Sequence, residues 1–174
     1  MIDRSAFVAR WQARAADAED TFDQFFCLWI ALVIQARPQL DPNQVDSDDT
    51  DRVAVLQLAQ RHTMAIVASF EGVSDELKWL ARRKGTRRGD AIVDVHDYVR
   101  RRDHLRTRFQ WLTDHYTGAR TCKPGLIVAA AAELLNHVRN NLFHGIKDPD
   151  DVEDEELVRH LLPVLRAFLK GAGG

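Results

Sequence analysis

The residues with the clearest chemical potential lie in the stretch Asn136-His-Val-Arg-Asn-Asn-Leu-Phe-His-Gly-Ile-Lys147. It places Arg139, Asn140 and His144 around the end of an otherwise apolar helix. A neutral imidazole with an ordinary pKa near 6.5 can take up or release a proton at neutral pH. A guanidinium beside it can neutralise charge growing on phosphoryl oxygens. At about 100° per residue, Ile127, Ala131, Leu134, Leu135, Val138 and Leu142 form one stripe, Asn140 and His144 share the opposite face, and Arg139 sits on the flank. Residues five apart on an unbroken helix are held roughly 140° and 7.5 Å apart. Arg139 and His144 therefore converge on one ligand only if the helix ends near His144, as Gly145 suggests, or if a second subunit completes the site. The bland alternative makes His144 a surface residue that caps the helix C-terminus, where the dipole favours a cation.

The elements that must position these groups are helical. Phe7, Val8, Trp11, Ala15, Ala18, Phe22, Phe25, Phe26, Trp29 and Ile30 recur at steps of three and four, which predicts one helix of roughly thirty residues from Ser5 to Pro38. After a polar, Asp-rich linker over 41–51, the pattern predicts helices over 51–70, 74–85, 90–116 and 125–143, and a Leu-rich last helix containing Pro163. No run alternates with period two. The expected architecture is all-α: a single domain over 1–174, an antiparallel bundle of about six helices with essentially no strand.

Composition narrows the function classes. The chain has 174 residues, 45% apolar and 29% charged, which suits a folded domain rather than a disordered segment. Its net charge of −2 argues against coating nucleic acid through the overall field. The charge is unevenly sorted, however, with 13 basic and 5 acidic residues over 78–123. Within that region Arg82, Arg83, Lys84, Arg87 and Arg88 read either as phosphate-backbone contacts or as a solvated loop paired with the seven carboxylates over 148–156. Arg100, Arg101, Arg102, Arg106 and Arg108 read better as a salt-bridged exposed face. Cys27 and Cys122 form no C-x-x-C pair, and Cys27 falls inside the apolar run of residues 25–34, so it reads as core. That run is too short to span a membrane, and Met-Ile-Asp-Arg-Ser does not open like a signal peptide, so the expected location is the cytoplasm. Glu133 and His137 have a metal-compatible spacing but no matching pair elsewhere, and no metal or other cofactor is expected. His137 lies about 60° from Asn140 on the helical wheel, near enough to assist at the same cleft. Trp11, Trp29, Trp79 and Trp111 fit apolar helix faces rather than base-stacking platforms.

The segment Arg-Asn-Asn-Leu-Phe-His over 139–144 resembles the Arg-x(4–6)-His signature of HEPN domains. Phe22-Asp-Gln-Phe-Phe-Cys-Leu-Trp-Ile-Ala-Leu32 is similar to the aromatic first core helix of Apea-like HEPN proteins, and the acidic segment followed by a Leu-rich helix over 148–169 follows in the family's order. The resemblance implies a helical homodimer whose two Arg/His motifs face each other across a cleft. It further implies a metal-independent endoribonuclease of a defence or toxin type, in some cases with a neutralising antitoxin. Carried onto this chain, His144 is the general acid/base, Arg139 the phosphate clamp and Asn140 an orienting neighbour. Ile146 stands where one toxin branch carries a tyrosine, so the chain does not resemble that branch. The alternative is a non-catalytic HEPN-like module for dimerisation or for binding a ligand or partner.

Overall fold

A computed structural model of the chain describes residues 3–37, 50–82, 103–143 and 151–173. Among these residues every regular element is helical: α1 (Arg4–Asp17), α2 (Thr21–Ala36), α3 (Thr50–Arg61), α4 (Thr63–Phe70), a 3₁₀ turn (Glu71–Val73), α5 (Ser74–Arg82), α6 (Asp103–Tyr116), α7 (Pro124–Phe143) and α8 (Val152–Ala172). The all-α expectation holds, although the described residues alone form eight helices instead of about six.

The two extra helices arise at local breaks, one of them at a side-chain cap, that hydrophobic periodicity does not register. The long first helix is broken at residues 18–20. Asp20 has extended backbone, and its carboxylate accepts from the amides of Phe22 and Asp23 at 2.8 and 3.0 Å, which starts α2 afresh. Gln24 Nε2 donates to the Ala18 carbonyl at 2.9 Å, satisfying an acceptor left by the end of α1. Three non-helical residues span about one helical turn, so the apolar steps of three and four run through the break unchanged. The second helix divides at His62 (φ −108°, ψ 21°). There the Thr63 hydroxyl lies 3.0 and 3.1 Å from the carbonyls of Ala59 and Gln60 at the end of α3.

The core forms where these helices meet. α1 packs on α2, α2 on α8 and α3, α7 on α6, α3 and α4, and α5 on α6 and α8, with α4 between α7 and α8. Leu157, Val158, Leu161, Leu165 and Phe168 of α8 are buried, as their spacing predicts, and α8 continues through Pro163. Trp29 is buried, and Trp11, Trp79 and Trp111 are part-buried against the core, in keeping with the packing reading of all four. Cys27 is buried too, and that burial pushes its thiol above the ordinary range, with Arg14 pulling it partly back.

α4 and α8 approach so closely that a side chain on Gly171 would collide with backbone. A Cβ there would lie 2.5 Å from Ile66 Cα and 2.8 Å from Ala65 O, and the Ser69 hydroxyl nearby sits 2.6 Å from the Ala167 carbonyl. Gly171→Ala should therefore cost about 1–3 kcal/mol in urea unfolding, because backbone has to move. Gly125→Ala, where a Cβ meets nothing within 4 Å in the first turn of α7, should leave stability equal or slightly higher.

Tyr116 closes α6 part-buried against the core, and burial raises its phenol to about 12. A raised acid favours the protonated form in the folded state. The stability it contributes is complete below pH ~10 and is lost as pH climbs from there through 12. Absorbance titration at 295 nm should show a step near pH 12 that Tyr116→Phe removes.

Candidate functional site

α7 is buried on almost every side along its middle. Ile127, Val128 and all of residues 130–138 are buried, so the faces away from the predicted apolar stripe are covered as well. Glu133, Asn136 and His137 consequently lie in the interior. Arg52 of α3 meets Glu133 with two parallel hydrogen bonds, Nε to Oε2 at 2.8 Å and Nη2 to Oε1 at 2.5 Å. The rings of His137 and Phe109 meet in an edge-to-face arrangement, centroids 6.1 Å apart. The metal-compatible spacing of Glu133 and His137 thus contains a carboxylate engaged by an arginine. Among the described residues no three His, Cys, Asp or Glu side chains gather as a metal site.

The helix leaves the core at Arg139 and Asn140, both partly exposed. Arg139 Nη1 donates to Asn140 Oδ1 at 2.8 Å, Arg139 Nη2 lies 3.7 Å from Asp51 Oδ2, and the guanidinium carbon stands 5.9 Å from the centre of the Trp29 ring. Asp51 also accepts from Arg37 Nη2 at 3.0 Å. Three elements therefore converge on one guanidinium: the middle of α2 through Trp29, the first turn of α3 through Asp51, and α7 itself. The α3 dipole favours a carboxylate at that first turn, which helps keep Asp51 in place between two arginines. With 28% of its side chain accessible, Arg139 is braced and still reaches solvent. A positioned, part-buried guanidinium with planar donors suits recognition of a phosphate or carboxylate.

The structure thus brings Arg139 and Asn140 together. His144, the residue after the last of α7, lies outside the described residues, as do Gly145 and Ile146. Arg82 is exposed at the end of α5, which packs chiefly on α6 and α8 rather than on the elements around Arg139, while Arg83, Lys84, Arg87 and Arg88 lie outside the described residues. The Arg100 to Arg102 cluster and the side chains of Arg106 and Arg108 lie outside them too. Part of the acidic segment has a local task. Asp151 caps α8 by accepting from the amides of Glu153 and Asp154, and Glu155 pairs with Arg159 one turn on. Sequence reasoning missed Arg37, Asp51 and Arg52 as partners of this region. Asp51 reads as the edge of a polar linker, and Arg52 lies 81 positions from Glu133, with no local pattern joining them.

Comparison with protein-family models, with curated proteins and with solved structures found no match for this chain. Among the described residues no helix is long and apolar enough to cross a membrane.

Proposed function

We propose that this chain is a HEPN-like, metal-independent endoribonuclease of a defence or toxin type, working as a homodimer in the cytoplasm. The observation that carries the reading is the Arg139 guanidinium, held by Asn140, Asp51 and Trp29 while part of it faces solvent. In this reading neutral His144 takes the proton of an RNA 2′-hydroxyl, and the freed oxygen attacks the adjacent phosphorus. The bond from phosphorus to the 5′-oxygen breaks, and that oxygen leaves with a proton returned by an imidazolium. Arg139 offsets the charge that develops on the phosphoryl oxygens, and Asn140 keeps its fork oriented. The products are a 2′,3′-cyclic phosphate and a 5′-hydroxyl end. DNA, lacking the 2′-hydroxyl, is inert. Arg82, Arg83, Lys84, Arg87 and Arg88 guide the strand by its phosphates, and a neutralising antitoxin completes the system.

The test is cleavage of mixed single-stranded RNA in EDTA, wild type beside His144→Ala, with the product ends identified. Cyclic-phosphate ends from the wild type alone support the enzyme. Cleavage that survives the substitution, or that EDTA abolishes, removes it. The contact between Arg139 and Asp51 favours a second reading, because a carboxylate already stands beside the clamp. In that case the Arg139 region belongs to a non-catalytic module that binds a ligand or partner, and both proteins leave RNA intact.

A further inference from the structure

Asp51 is shared by two arginines from different elements. Arg37 closes α2, its amide donating to the Val33 carbonyl, and its Nη2 donates to Asp51 Oδ1 at 3.0 Å. Arg139 of α7 stands by the other oxygen, with Nη2 3.7 Å from Oδ2. A carboxylate in the first turn of α3 thus lies between two guanidinium groups, one facing each oxygen. Lys78–Asp75 and Arg159–Glu155, by contrast, each pair neighbours on one helix.

The fold treats this carboxylate differently from Glu133, its buried neighbour across the α3–α7 contact. Glu133 is 1% accessible and takes two hydrogen bonds from Arg52, whereas Asp51 keeps 26% of its side chain accessible, Arg139 28% and Arg37 57%. The 3.7 Å separation exceeds hydrogen-bond length, so Asp51 holds Arg139 by charge. Part-exposed pairs of this kind are weak, and another anion competes with them. A phosphodiester is suited to do so, because its two non-bridging oxygens, like those of a carboxylate, can accept from two guanidiniums at once. Asn140 and Trp29 hold Arg139 in place when the carboxylate moves aside. We propose that Arg37 and Arg139 form one phosphate site, and that Asp51 is its resident anion, displaced when an RNA phosphodiester binds. The choice of RNA as occupant rests on the ribonuclease reading, and Arg37 and Asp51 join the residues that act on its strand.

Fluorescence anisotropy of the full chain tests it, with a fluorescein-labelled, mixed-sequence 2′-O-methyl RNA oligonucleotide that lacks the attacking hydroxyl and stays intact. Asp51→Asn should tighten binding at least about threefold, because it removes a negative charge that repels and competes with the phosphate. Arg37→Ala should weaken binding at least about threefold and lower the dependence of log Kd on log salt by about 0.7, the share of one single-strand phosphate. Arg159→Ala, which removes an arginine paired within α8, should change either quantity less. Binding no tighter in Asp51→Asn, an Arg37→Ala protein no different from Arg159→Ala, or no binding by the wild type would each overturn the two-arginine site. A lower melting temperature with unchanged binding would make Asp51 a staple between α2 and α3 and nothing more. Cleavage of ordinary RNA in EDTA, lost in His144→Ala, is measured beside it and decides the ribonuclease reading separately. Cleavage with binding that neither variant shifts overturns the two-arginine site alone. Binding that both variants shift, without cleavage, keeps the site and removes the nuclease.

Discussion

His144→Ala should lower RNA cleavage in EDTA by about 10²–10⁴-fold, the usual share of one positioned general acid/base. Arg139→Ala should lose about 10²–10³-fold, comparable to removing one donor from a site that stabilises an oxyanion. Arg139→Lys should recover little, because a lysine supplies a point charge where the fork donates to Asn140 and faces Asp51 at once. Stability separates the clamp from a structural pin. The contacts Arg139 makes with Asp51 and Trp29 are partly exposed, and such pairs contribute about 0–1 kcal/mol each. Arg139→Ala should thus leave the unfolding midpoint within a few degrees. A loss of cleavage that tracks a large fall in stability would assign the residue to the fold and not to the reaction.

Arg52→Ala should be the most damaging single change to stability, at about 3–5 kcal/mol. The reason is an asymmetry across the ion pair. Arg52 keeps 22% of its side chain accessible and can find water, but Glu133 is 1% accessible and sits in the middle of α7. Removing the arginine takes the two-fold hydrogen-bonded partner from a carboxylate that solvent barely reaches, in a domain whose total stability is about 5–15 kcal/mol. For this chain length that corresponds to a fall in melting temperature of roughly 10 °C. Replacing both partners together, Arg52→Met with Glu133→Leu, should restore most of the loss, since well-packed apolar groups commonly substitute for a buried pair. Urea unfolding of the three proteins checks this. A cost below 1 kcal/mol for Arg52→Ala would mean that Glu133 reaches water by a route the folded chain closes.

The helices and most of their faces were legible in the sequence because hydrophobic spacing is a local property that each segment carries with it. Pro124, Gly118 and the stripe of α8 mark their elements without help from the rest of the chain. The Arg139-Asn140 pair was legible for the same reason, being adjacent near the end of one helix, whereas His144 lies outside the described residues. The breaks at Asp20 and His62 were not, since neither disturbs the phase of the apolar residues. The surroundings of α7 were hidden more deeply. Ala129 to Ala132 in its first half fit an exposed face as well as a covered one, and only the packing of α3, α4 and α6 decides that Glu133 and His137 are inside.

The sequence by itself determined the all-α class, the ends of several helices and the position of the Arg-Asn pair, because these follow from torsional preference, capping and a period of 3.6 residues. Tertiary structure alone decided that Asp51 and Trp29 brace Arg139 and that Arg52 neutralises Glu133. Those contacts join residues tens of positions apart. Their existence depends on how whole helices cross, which no local pattern encodes.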